Sequence, residues 1–194
     1  LREQLGLNAP VVVRYFRWVG EFLFGDMGTS YIYSLPVRQM LADKVPVTLT
    51  LTAISFLLVV LVSVPLGIWQ TKHAHGTADR AVTVAGQIFM SIPPFLTGIV
   101  FTLLFGLLLK LLVPGKFISP KESLAGFLGY LIFPAVAIAI PKIAMTVRML
   151  RTSILSEMRE DYVRTAYSRG LSSGMVLSRH VLRNALIPVV TFLA

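Results

Sequence analysis

The chain has 194 residues, of which 55% are hydrophobic and 14% charged, with a mean hydropathy of +0.76. Soluble domains carry about a quarter charged residues, so a soluble domain is excluded, and continuous rather than alternating apolar runs exclude a β-barrel. A net charge of +9 on a soluble protein would suggest nucleic acid, but here the basic residues flank apolar runs, as membrane topology demands.

No cysteine is present, which removes disulfides and thiolate metal sites. The fold class is therefore all-α, a polytopic helix bundle in a lipid bilayer, with no nucleic-acid partner. Leu1 opens a polar segment without an initiator Met, and the chain stops at Ala194 inside a new apolar run. We read it as an internal fragment with about three full spans.

Residues 1–44 are expected to form an extracytoplasmic segment. Val12, Tyr15, Phe16, Val19, Phe22 and Leu23 follow helical spacing, with Arg14, Arg17 and Glu21 on the opposite face and Trp18 between. Such a helix lies on the membrane interface or packs in a small extramembrane domain, and both readings stay open. Gly25–Ser30 (GDMGTS) is a glycine-rich turn. It lacks phosphate-loop spacing, and the Gly115-Lys116 pair lacks it too.

A transmembrane domain is expected over 45–194, its first span at about 45–70. Pro46 suits the first helical turn, and Pro65 with Gly67 should loosen the far end. In the 71–80 loop, His73, His75 and Asp79 have donor chemistry for a metal, but a solvated loop is the simpler reading and no metal or other cofactor is assigned. The second span, about 81–112, carries Ser91 and then Pro93-Pro94. Two consecutive prolines bend a helix, and the carbonyls they free must face protein or a watery pathway. Pro114, Gly115 and Pro120 mark the next loop, and a third span at about 127–150 holds Pro134, Pro141 and Lys142. Lys142 either snorkels to the interface or makes a polar contact in the pathway.

Arg148–Pro188 is the long polar stretch of the second half. Its arginines are Arg148, Arg151, Arg159, Arg164, Arg169, Arg179 and Arg183, and their density beside the third span assigns 151–188 to the cytoplasm. Leu155, Met158, Tyr162 and Ala166 fall on one helical stripe, and Glu160 and Arg164 have pairing spacing. Gly170 can end that helix, Ser172 or Ser173 can cap the next, and Leu177, Val181 and Ala185 share its apolar face. Pro188 closes the stretch before a further span. Arginines on a helix-turn-helix invite a DNA-binding reading, but both ends run into spans. What remains is a lid on acidic lipid or a docking element for a cytoplasmic partner.

Residues 161–190 resemble the coupling loop of the permease subunits of ATP-binding-cassette importers. Ala166, Gly170 and Leu182 match the general pattern, while Arg164, Thr165, His180 and Arg183 depart from it. The departures are those of the dipeptide/oligopeptide/nickel branch, to which Arg164-Thr165-Ala166, Gly170-Leu171 and Arg179 through Pro188, Asn184 included, are closely similar. Gly25–Ser30, Pro36-Val37, Pro46 with Thr48-Leu49, Pro65–Gly67 and Ser91–Pro93 also resemble branch motifs, in order, so the likeness covers nearly the whole chain.

The resemblance implies a type I importer permease in the bacterial inner membrane, with no catalytic residues of its own. It implies two cytoplasmic ATP-binding subunits, a second permease subunit and an external substrate-binding protein as partners. The substrate class would be di- or oligopeptides, with nickel or another small solute as the alternative in the same branch and an ATP-independent channel or carrier as the alternative class. The coupling residues carried over are Arg164, Thr165, Ala166, Gly170, Leu171, His180, Leu182, Arg183, Asn184 and Pro188. Ser91, Pro93, Pro94 and Lys142 are the candidates for the pathway or for helix shape.

Overall fold

The computed structural model describes residues 9–110 and 117–193. Pro114, the Gly115-Lys116 pair, the last two residues of the second expected span, and the two termini with Leu1 and Ala194 lie outside the described residues. Among those described there are helices and one isolated bridge, between Thr29 and Pro36. The chain divides into two units, 1–50 and 51–194.

In the first unit, α1 spans Val11–Leu23 and buries none of its residues; Phe16, Trp18 and Leu23 are 68%, 52% and 77% exposed. Gly25 (φ 90°) and Gly28 (φ 76°) follow, both in the left-handed region that glycine enters without strain. The Asp26 carboxylate accepts from the Gly28 N–H at 2.9 Å, and Val37 N–H donates to the Gly28 carbonyl at 3.0 Å. The GDMG sequence thus turns the chain out of α1, and the reversal into the next helix follows over 30–35, where Ser30 N–H donates to the Leu35 carbonyl at 2.9 Å.

That helix, α2, runs Val37–Lys72, and the division between the units falls inside it. Pro46 therefore sits well within a helix, not in its first turn, because helical structure starts eight residues before the expected span. Within the second unit α2 buries Ser55, Val59, Ser63, Gly67 and Gln70, a narrow stripe of mostly small residues. Small side chains let backbones approach closely in a membrane bundle. The partner is α5, Leu124–Glu157, whose Ala135 carbonyl lies 3.4 Å from Ser55 Oγ. A Cβ at Gly67 would stand 2.9 Å from Leu150 Cδ2 and 3.3 Å from its Cβ, so Leu150 would have to shift to admit one.

α5 starts at Ser123, whose hydroxyl accepts from the Gly126 N–H, and passes through Pro134 and Pro141 without ending. Before it, α3 covers Thr77–Ser91. α4 begins at Pro94 and continues past Phe101 as a π-helix, Thr102–Leu108. The second expected span is therefore not one helix: α3 and α4 meet at 96°. The cause is local. A residue before proline is pushed to extended backbone, and both Ile92 (ψ 120°) and Pro93 (ψ 141°) precede a proline.

After α5 come the short α6, Asp161–Ser168, and α7, Ser173–Leu193, in which Val176–Val181 is π-helical. By length and composition α2, α5 and α7 can each cross a membrane, and α3 with α4 forms a bent pair that passes the same test. Pro188 lies inside α7 and does not end it. Its missing N–H costs one bond, which a continuing helix tolerates when its neighbours are packed.

Candidate functional site

The polar stretch is built on an apolar base. Leu150 and Ile154 of α5, Val163 and Ala166 of α6, and Val176, Val181, Ala185 and Val189 of α7 form one buried cluster, with Val64 and Ile68 of α2 against it. An eight-residue helix such as α6 cannot hold itself in water. Burial of Val163, 1% exposed, supplies about 1.5–3 kcal/mol toward docking it. On α7 the buried positions run 176, 177, 181, 185, 189, so Leu177, Val181 and Ala185 share the apolar face that their spacing indicates. Val176 joins this face beside Leu177 within the π-helical segment, whose turn is wider than an α-helical one.

The break lies earlier than the sequence stripe suggested. α5 ends at Glu157 and a turn covers Met158–Glu160, so Leu155 and Met158 do not share a helix with Tyr162 and Ala166. Glu160 is the extended residue before α6 and does not pair with Arg164. Arg164 instead faces Asp161 at 3.5 Å, both well exposed. At the other end of α6, Gly170 has φ 78°, its N–H donates to the Tyr167 carbonyl at 2.9 Å, and Leu171 N–H donates to the Ala166 carbonyl at 3.3 Å. This paired closure is the Schellman arrangement, with Ala166 in the cluster and Leu171 packed against it. Ser172 occupies the position before α7 with no side-chain cap bond; its backbone carbonyl accepts from Val176 N–H instead.

The sequence-named coupling residues fall into two groups. Ala166, Leu171 and Leu182 pack into or against the apolar cluster. Arg164, Thr165, Gly170, His180, Arg183, Asn184 and Pro188 are exposed. The outward face is therefore cationic and polar, on a base that holds it in place. A side-chain bridge braces the corner: Tyr162 donates from its hydroxyl to Glu157 Oε2 at 2.6 Å and accepts from Asn184 Nδ2 at 3.3 Å. Partial burial, and then the Glu157 carboxylate beside it, raise the Tyr162 phenol above its usual 10. Asn184, named from the sequence as a coupling residue, thus also ties α7 to α6.

Ser91, Pro93, Pro94 and Lys142 are all exposed in this chain. Ser91 donates to the Gln87 carbonyl at 2.9 Å, inside its own helix. Lys142 Nζ stands 5.3 Å from the centre of the Phe192 ring on α7, within cation–π range. Met90, one residue before Ser91, and Phe192 both line a groove of about 630 Å³ with Met145, Arg148, Met149 and Thr152.

The 71–80 loop contains what sequence reasoning missed. Asp79 is 4% exposed. Arg151 donates to it twice, Nε to Oδ1 and Nη2 to Oδ2, both at 2.7 Å. Gln70 Nε2 adds a bond at 2.9 Å and the His75 N–H another at 2.8 Å. Asp79 is thereby committed, and His73 turns to the Trp69 carbonyl and ring. No cluster of three metal-type ligands occurs among the described residues. A lone acid just past a span and an arginine just past another were the signal, but 72 positions separate them.

Membrane-length helices around a short amphipathic helix, with a polar face turned outward, define a multi-spanning membrane component. The chain belongs to the family of binding-protein-dependent transport system inner membrane components, whose model matches residues 63–194. It is 33% identical over 191 residues to a probable peptide ABC transporter permease protein of Sinorhizobium fredii, covering 98% of this chain and 61% of that one. It is 32% identical over 192 residues to an oligopeptide transport system permease protein of Bacillus subtilis, covering 97% and 61%. The chain thus spans about three-fifths of the length of the curated relatives it matches.

Proposed function

We propose that the chain is the core of a permease subunit in an ATP-driven importer of di- or oligopeptides. The observation that carries this is the α6–Gly170–α7 element: a short helix anchored by buried Val163 and Ala166 with Arg164 and Thr165 exposed on it, followed by α7 with His180 and Arg183 exposed. Such a rigid, polar knob suits a cleft in a soluble partner. The two relatives' names favour peptides as cargo and an ATP-binding-cassette assembly as the machine.

In this reading 151–188 lies in the cytoplasm and seats α6 on one of two ATP-binding subunits, which carry out the hydrolysis. Residues 1–44 lie outside, with the aromatic face of α1 on lipid, and 45–194 form the membrane domain. A second permease subunit covers the exposed apolar faces, and an external binding protein delivers the cargo. Closure of the ATPases on ATP pulls α6 and rocks the helices behind it. Ser91, Pro93, Pro94 and Lys142 contribute to the pathway or to the helix shape around it.

The test is capture of the intact protein from its native membrane in mild detergent. An ATPase with a phosphate loop, a second permease and an external binding protein are expected to copurify, the last carrying a bound peptide. Capture of the protein as a self-sufficient assembly conducting solute without ATP overturns the proposal.

A further inference from the structure

The C-terminal end of α5 is gripped from two sides. On one, Leu150 and Ile154, both 0% exposed, are buried in the cluster that holds α6. On the other, Arg151, between them in sequence, reaches Asp79 with both prongs of its guanidinium at 2.7 Å. Paired donors on paired carboxylate oxygens fix orientation as well as distance. Asp79 sits in the first turn of α3, and its remaining bonds go to the end of α2 through Gln70 and to the connecting turn through the His75 N–H. His75 has φ 67°, a conformation a non-glycine residue keeps only when its surroundings hold it. Gln70 also donates to Thr83 Oγ1 at 3.0 Å, a turn further along α3. One carboxylate thus joins α2, the turn, α3 and α5.

We propose that Asp79 and Arg151 are positioning residues that clamp α3 and the α2–α3 turn to the end of α5, so that a displacement applied at α6 is delivered to the Pro93 bend. The clamp rests on the reading of α6 as the partner-docking helix. α6 shares one buried cluster with Leu150 and Ile154, Arg151 lies on the same helical turn of α5, and Asp79 heads the helix that ends at Ser91. Apolar packing could transmit a push. A two-pronged ion pair on a buried carboxylate resists sliding and rotation too, because each Asp79 oxygen left behind would be a buried acceptor short of a partner.

These 194 residues contain no cysteine, so labels can be placed once any cysteines elsewhere in the complex have been replaced. Spin labels at Thr77→Cys and Ser156→Cys, both exposed positions, report the distance from the start of α3 to the end of α5. The measurement uses the full-length subunit in its complete complex, in lipid nanodiscs, without nucleotide and trapped with MgATP and vanadate. With the native pair, one narrow, unchanged distance is expected in both states. In Asp79→Asn the nucleotide-free distance should be kept, while the trapped state shifts or splits and ATP hydrolysis continues. Arg151→Lys, which keeps the charge but loses the fork, should show the same trapped-state change more weakly, and it serves as the readout if Asp79→Asn does not assemble. The clamp is overturned if the native distance itself changes on trapping. It is also overturned if both variants keep one narrow distance, or if Arg151→Lys is already disordered without nucleotide, which marks a purely structural bond. A native subunit that recruits no ATPase overturns the reading of α6 instead.

Discussion

The chain breaks its helices in two contrasting ways. At Gly170 the break is closed by two backbone bonds, Gly170 N–H to the Tyr167 carbonyl and Leu171 N–H to the Ala166 carbonyl, over a buried base. At Pro93 it is opened by two residues that lack N–H groups, and the following helix leaves Phe95, Ile99, Leu107 and Leu108 at 70%, 51%, 61% and 73% exposure. The first corner satisfies its own hydrogen bonds and carries its own core. The second has one backbone closure of its own, Leu96 N–H to the Pro93 carbonyl at 3.0 Å, and leaves much of the apolar surface that follows it outward. In the proposed reading the first corner docks a partner and must keep its form under load, while the second lies beside the pathway and is free to change.

The largest effect expected from testing this contrast is at the base of the first corner. Ala166→Asp puts an unpaired carboxylate at a site 6% exposed. Even after relaxation, such a charge costs several kcal/mol. α6 should detach, and trypsin should then cut at Arg164 and Arg169 well before the rest of the chain, as read by mass spectrometry of timed digests. Slow cutting at parental rate would mean that the apolar base does not hold the helix.

Next comes the second corner. In Pro93→Ala/Pro94→Ala both backbone restrictions are lifted, and α3 and α4 can join. Labels at Ala81 and Leu108 should then move from roughly 26 Å apart around the bend to roughly 40 Å along one helix, at 1.5 Å per residue. An unmoved distance would place the cause of the bend in tertiary packing and not in the prolines.

At Gly170 the two sides of the comparison separate. A Cβ there meets nothing within 4 Å, and the cost to the chain is left-handed strain alone. Asn and Asp tolerate that region better than most residues. Gly170→Asp should therefore insert and melt within a few degrees of the parent, yet abolish uptake, because the added charge meets the partner and not this chain. Uptake at the parental level would remove Gly170 from the docking face.

Much of this was legible in the sequence because its causes are local. The glycine turn, the proline bend and the amphipathic face of α1 each follow from neighbours within a few positions. The misreadings came where two elements meet. Glu160 and Arg164 have pairing spacing, but the turn at Met158–Glu160 takes Glu160 out of the helix. Val176 joins Leu177 on the buried face within a π-helical turn that no residue type announces. Arg151 read as one more topology-setting cation and Asp79 as a loop acid, and only the packing of α3 on α5 turns them into a pair.

The smallest effect concerns the brace that shares the first corner with the apolar base. Tyr162→Phe removes the hydroxyl that joins Glu157 and Asn184. With both partners able to reach water, the loss should be about 0.5–1.5 kcal/mol. The phenol's affinity for its proton is raised by folding, so its contribution is complete below pH 10 and disappears as pH rises through the higher native value. The difference in melting temperature between the parent and Tyr162→Phe should therefore be constant at neutral pH and narrow only in the alkaline range. A difference that vanished on acidification instead would assign the brace to the Glu157 carboxylate and not to the tyrosine proton.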